Sequence, residues 1–262
     1  MQKKNRAGIL VIIMIVMSLL SGCLGKREPG SDQDSHKNNP SDQPVIAGTI
    51  LRITENSILV LEKKEENDFC GLLDVSINDV PVTDIQNKAL STSDLVTGLL
   101  VNVYYDGQIL ETYPGRITGT SQIEVVEQTG DLMGMYLRII KELYEEDPGL
   151  NSGINTIVLD LTNINNLTED QKEILRYLVD CEYEQEVRFG TIEQLQVEGV
   201  IKDLYYEDGI VFILSDQALK DNKFEFKVQK WRSGLGSIGY NNCKATIKDD
   251  IWEYKLSGAW IS

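Results

Sequence analysis

The sequence predicts two domains: a small all-β barrel over residues 45–128, then an α+β domain over 130–262 whose helices pack on an antiparallel sheet. Three observations lead there. Residues 45–128 alternate short β-branched runs with polar turn formers, the pattern of strands and turns. Helical periodicity follows Gly130, where Leu132, Tyr136, Ile139, Ile140 and Leu143 fall on one face. From Val200 onward the chain reads as an antiparallel meander.

In the first domain, Ile46–Ile53 leads through Thr54-Glu55-Asn56 into Ser57–Leu61, a hairpin pattern. Leu99–Tyr105 and Gln108–Tyr113 flank Asp106-Gly107, the favoured two-residue turn. Ser93-Asp94-Leu95-Val96 reads as a short capped helix or turn, and Ser121–Glu127 as the closing strand. Strands of that number and length suit a closed barrel, OB-like in size.

In the second domain, Asp147-Pro148-Gly149 ends the first helix and Thr156–Leu161 forms an apolar strand. Thr168 with Gln171, and Thr191 with Gln194, are capping-box pairs that open two further helices. Glu186–Phe189 is a strand between them. Lys202–Tyr206 and Ile210–Leu214 flank Asp208-Gly209, a second hairpin signal. Lys223–Trp231, Cys243–Lys248 and Trp252–Leu256 continue the meander, and a curved sheet of the cystatin or NTF2-like kind fits the order.

The N-terminus gives an address. Lys3, Lys4 and Arg6 precede a nearly unbroken apolar run from Ala7 to Leu20, which ends in Leu20-Ser21-Gly22-Cys23. As a helix that run would rise only about 21 Å, short of the roughly 30 Å hydrocarbon core, so residues 1–22 read as a signal peptide rather than a membrane span. Leu20-Ser21-Gly22-Cys23 resembles the lipobox of bacterial lipoproteins. That resemblance implies a lipidated Cys23 as the new N-terminus, an acyl anchor in the cell membrane and an extracytoplasmic body. Residues 23–44, with Pro29, Pro40 and Pro44 among polar residues, are expected to be a flexible tether with a reach of about 25 Å.

Gly48-Thr49-Ile50, Ser93-Asp94-Leu95, Asn102-Val103-Tyr104-Tyr105-Asp106-Gly107 and Glu111-Thr112-Tyr113-Pro114 carry a further resemblance. This stretch is similar to small β-barrel domains of unknown function in Gram-positive lipoproteins. The likeness implies an exported, tethered barrel and no particular activity.

Charge and composition narrow the function. The chain has a formal net charge of −16, and cleavage before Cys23 removes three bases and no acid, giving −19. Such a surface repels phosphate backbones, so nucleic acid is not a partner. The single histidine, His36, lies in the tether, which leaves Ser–His or Cys–His chemistry without its base. Gly234-Leu235-Gly236-Ser237-Ile238-Gly239 spells a dinucleotide fingerprint, but strand-forming residues follow it where a helix is required, so it reads as a turn. No cofactor or metal is implied. Cys181 and Cys243 are candidates for a disulfide, with Cys70 left over as a core residue.

The remaining candidates are surface groups. Tyr104-Tyr105 and Tyr205-Tyr206 each put one ring on either face of a strand, and Arg232 beside the glycine loop could meet an anion or a neighbouring acid. The expected function is a membrane-tethered, non-enzymatic binding, adaptor or sensor module of the cell envelope with a protein or peptide partner. The alternative is a ligand-binding or enzymatic C-terminal domain with a pocket in a curved sheet.

Overall fold

The computed structural model describes residues 43–63 and 71–262. Cys23, His36 and Cys70, with residues 1–22 expected to be a signal peptide and most of the expected tether, lie outside them.

The first half forms β1 (Val45–Ile53), β2 (Ser57–Glu62), β3 (Leu72–Ser76), β4 (Val82–Asp84), β5 (Ala89–Leu90), β6 (Leu99–Tyr105), β7 (Gly115–Ile117) and β8 (Thr120–Gln128). These make one eight-stranded sheet in the order β5-β4-β8-β6-β1-β2-β3-β7. Inward residues at alternate positions, among them Ile58, Val60, Val101, Val103 and Ile123, bury one core. A bulge in β1 shifts the register between Ile50 and Arg52. Both Ile50 and the extra residue, Leu51, are therefore buried, Ile50 in this core and Leu51 in the one shared with the second half.

The expected barrel is corrected on two points. The sheet is mixed, with β3–β7 and β4–β8 parallel, and among the described residues no ladder joins β5 to β7 to close it. The Asp106-Gly107 hairpin does not form either. The Asp106 carboxylate accepts from the Gln108 amide at 3.0 Å, while β6 pairs instead with β1 and β8.

The second half runs α1 (Leu132–Glu145), β9 (Thr156–Asn163), α2 (Glu169–Asp180), β10 (Glu186–Phe189) and α3 (Ile192–Val197). It continues with β11 (Ile201–Lys202), β12 (Tyr205–Tyr206), β13 (Gly209–Asp216), β14 (Lys223–Ser233), β15 (Gly236–Lys248), β16 (Ile251–Lys255) and β17 (Ala259–Ile261). The sheet order is β10-β9-β13-β14-β12-β11, with β15 joining β14 to β16 and β17.

The expectation of an α+β domain on an antiparallel sheet is overturned. The described residues hold seventeen strands and three α-helices, a mostly β chain built on two mixed sheets. In the second sheet β9 lies parallel to both β10 and β13. The cause is visible in β9: Ile157 to Leu161 are all buried, as expected of a strand covered on both faces in parallel pairing. The Asp208-Gly209 hairpin is also replaced. The turn falls at Asp203-Leu204, both at positive φ (49° and 57°), and pairs β11 with β12. Gly209 is required for another reason, since a Cβ there would lie 2.5 Å from the Tyr206 ring and 2.8 Å from the Thr156 carbonyl oxygen.

The largest core joins Leu51, Leu59 and Leu72 of the first sheet to α1, α2 and the second sheet. A smaller core on the other face of that sheet holds Val158, Leu195, Tyr206, Val211 and Trp231. Gly234-Leu235-Gly236 lies in the hairpin between β14 and β15, with no helix after it.

Candidate functional site

The chain leaves β9 and β10 toward opposite faces of the sheet. β9 leads to α2, whose Leu175 and Leu178 join the large core, while β10 leads to α3, whose Leu195 joins the small one. Neighbouring parallel strands whose connections diverge in this way open a crevice at their carboxyl ends. Here that crevice is a cleft of about 480 Å³, within the range that takes small organic ligands.

Sequence builds it locally. The capping box at Thr168 starts α2 beside the end of β9, with the Gln171 amide donating to Thr168 Oγ1 at 3.3 Å. This places Glu169, Asp170, Lys172 and Glu173 along one wall. Leu159 and Leu161 supply an apolar floor, Thr162 and Gln194 neutral polar groups, and Phe189 a ring that is 37% exposed. Acids at the first turn also suit the helix dipole, so part of this charge serves the fold.

The rim is unevenly neutralised. Lys172 Nζ meets Glu169 Oε1 at 2.8 Å, and Arg176 Nε meets Glu173 Oε2 at 3.1 Å. Asp170 has no ion-pair partner among the described residues. An apolar floor, an exposed ring and a free carboxylate together favour an organic cation, because the ring face and the carboxylate both attract positive charge. Among the described residues, no group of three His, Cys, Asp or Glu side chains is placed to hold a metal ion.

The sequence assigns none of the cleft residues a functional role, and Gln194 reads there only as a capping-box partner. The legible signal was the apolar run Thr156–Leu161 followed by a capped helix and another strand, a βαβ order whose carboxyl end is where such sites form. The groups that were singled out lie elsewhere and are not brought together. Tyr105 and Tyr206 are buried, and the half-buried Tyr104 donates to Glu124 Oε2 at 3.4 Å. Burial and then the Glu124 charge push the Tyr104 hydroxyl above its ordinary range. Tyr205 is exposed, with the Arg232 guanidinium 5.7 Å from its ring centroid.

Arg232 is a brace. Its terminal nitrogens donate to the carbonyls of Leu150, Ser152 and Glu207 at 2.7–2.9 Å. The disulfide candidates are both free thiols, Cys181 at the end of α2 and Cys243 buried on β15.

Residues 47–127, which span most of the first sheet, match the family model described as Protein of unknown function (DUF3221). The first sheet is a DUF3221 domain. The match covers less than half of the chain, and the cleft lies wholly beyond it. No curated protein matches the chain. Among the described residues, no helix is long and apolar enough to cross a membrane.

Proposed function

We propose that this chain is a lipid-anchored extracytoplasmic binding protein that holds an organic cation, such as a lysine- or arginine-bearing peptide segment, in the cleft at the ends of β9 and β10. It serves the envelope as a non-enzymatic binding, adaptor or sensor module. The observation that carries the binding reading is the cleft, with its apolar floor, exposed Phe189 and unpaired Asp170. The anchor rests on Leu20-Ser21-Gly22-Cys23 and its apolar lead. An acidic body repelled from anionic headgroups needs such a covalent hold to stay at a membrane.

Titrating the detergent-solubilised full-length chain with tetralysine tests the cleft. Binding that weakens with salt and falls about fivefold in Asp170→Asn is expected. Absence of binding, or binding indifferent to Asp170→Asn, overturns the reading. For the anchor, Cys23→Ser is expected to leave the signal uncleaved or to release the body from membranes. Normal processing with retention at the membrane contradicts it.

A further inference from the structure

A second cleft, of about 350 Å³, lies where the DUF3221 domain meets α2. Strand register sets its floor. Arg52 pairs with Leu59, Leu59 with Asp74, and Asp74 with Arg116, so the four form one row across β1, β2, β3 and β7. Residues in such a row share a face of the sheet, and three strand spacings separate its ends by about 14 Å. Leu59 belongs to the core shared with α2, which fixes this face as the one turned toward the helix. Tyr177 and Cys181 of α2 stand against the row, with Tyr113 and Thr112 from the segment before β7. The Tyr113 and Tyr177 rings meet edge to face, with centroids 5.8 Å apart and planes at 77°.

The charges in this cleft are not equivalent. Arg52 is committed, with Nε 3.5 Å from Glu182 Oε1 and a terminal nitrogen donating to the Cys181 carbonyl at 3.4 Å. Glu182 also pairs with Lys141; burial alone would raise its carboxyl, but Lys141 and Arg52 together hold it below the usual range. Among the described residues the Arg116 guanidinium pairs with Asp74 alone, through Nε at 3.3 Å, and its side chain is 58% exposed. Its two terminal amino groups have no partner among the described residues. With Arg52 held by Glu182, the cleft's remaining charges are Arg116 and Asp74, and only Arg116 keeps donors to spare. Thr54, Ser57 and Thr112 add hydroxyls, and Tyr113, 60% exposed, offers a ring face.

We infer that this junction cleft binds a carboxylated saccharide. The planar fork of Arg116 matches a carboxylate and can grip both of its oxygens. Asp74 and the threonine and serine hydroxyls suit sugar hydroxyls, which both donate and accept. The exposed ring of Tyr113 covers the apolar face of a pyranose. The volume fits one or two sugar rings, whereas a long apolar ligand would strand the polar lining without partners.

The test titrates glucuronate and glucose into the detergent-solubilised full-length chain, read by calorimetry and by saturation-transfer NMR. Glucuronate is expected to bind about tenfold more tightly than glucose, the difference a charge-assisted fork supplies. Arg116→Gln should abolish that preference, Arg116→Lys should retain part of it, and Tyr113→Ala should weaken both sugars. Because both side chains are exposed, unchanged thermal melts are expected to accompany these losses. Tetralysine binding should be the same in all three variants, which separates this cleft from the one at the ends of β9 and β10. Equal binding of the two sugars, binding of neither, or a preference that survives Arg116→Gln overturns the inference.

Discussion

The Tyr136 hydroxyl on α1 donates to Asp216 Oδ2 at the end of β13, 2.5 Å away and out of reach of water. Asp216 also accepts from the Asn165 amide at 2.5 Å and from Asn166 Nδ2 at 2.7 Å. One carboxylate therefore ties α1, the β9–α2 connection and β13 together, at the carboxyl edge of the parallel strands. Burial, and then the bond to Asp216, push the Tyr136 phenol far above its ordinary range. Tyr136→Phe removes one donor from a buried charge and is expected to cost about 1–3 kcal/mol. A urea midpoint unchanged from the parent would contradict this account of the junction.

Lys230 presents a different economy. It is wholly buried on β14, and its Nζ donates to the Tyr144 carbonyl at 3.0 Å, the Asp147 carbonyl at 3.3 Å, Asn151 Oδ1 at 3.2 Å and the Glu146 carbonyl. The ammonium caps the carboxyl end of α1, where unpaired carbonyls and the helix dipole favour a cation. Lys230→Met is expected to destabilise the protein by about 2–4 kcal/mol at neutral pH, because those carbonyls lose their donor in a dry site.

The same lysine predicts a pH dependence. Burial lowers Lys230 to about 8, against the raising influence of Asp147 and the neighbouring glutamates. Between pH 8 and roughly 10.4 the unfolded chain holds the proton that the folded chain has released, so this group's contribution rises with pH across that window. Below about 8 both states are charged and the slope vanishes. Cys243 acts oppositely, since burial raises its thiol and the unfolded chain then ionises first. The comparison must therefore be made against Lys230→Met, which keeps Cys243. The gap between parent and variant should widen from pH 8 to 10, by no more than about 3 kcal/mol. A constant gap in paired denaturant melts would assign Lys230 an ordinary pKa.

Gly48 in β1 is fixed by contact rather than by conformation. A Cβ there would sit 2.4 Å from Val60 Cγ1 and 2.5 Å from the Leu61 carbonyl oxygen on β2. The carbonyl belongs to a strand ladder and cannot yield without breaking pairing. Gly48→Ala is expected to lose about 1–3 kcal/mol, the usual cost of overpacking. A melting temperature equal to that of the parent would mean that β1 and β2 part more easily than their register suggests.

These residues show what local sequence can and cannot tell. The capping boxes at Thr168 and Thr191 were readable because both partners lie within one helical turn, and both are formed. Of the turns, Asp208-Gly209 misled because glycine is the usual mark of positive φ, whereas the chain turns at Asp203-Leu204 with a leucine at 57°. Local sequence marks β9 as an apolar strand followed by a capped helix, but it does not name the strands that flank it. The partner of β9 depends on where α2 and the β11–β12 hairpin return the chain, which is a property of the whole sheet. The individual cleft residues are illegible for the same reason. Asp170 and Phe189 are ordinary as a solvated helix acid and a strand aromatic until β9 and β10 are known to lie side by side.

The two described cysteines offer the last test, because the fold separates their chemistry. Cys243 is fully buried on β15, its thiol 3.7 Å from the Tyr240 carbonyl, and burial keeps it protonated. Cys181 ends α2 at the junction cleft, half-buried, and the bond between it and Tyr177, after burial, pushes that phenol up to about 12. A thiolate is the reactive form, and reagent must reach it, so burial disfavours Cys243 on both counts. Brief alkylation of the native protein, followed by peptide mass analysis, should modify Cys181 well before Cys243, and denaturant should abolish the difference. Faster labelling of Cys243 would show that β15 opens to solvent. Resistance of both until a reductant is added, with a Cys181–Cys243 linked peptide in the unreduced digest, would show a disulfide between them, and with it a fold rearranged around the end of α2.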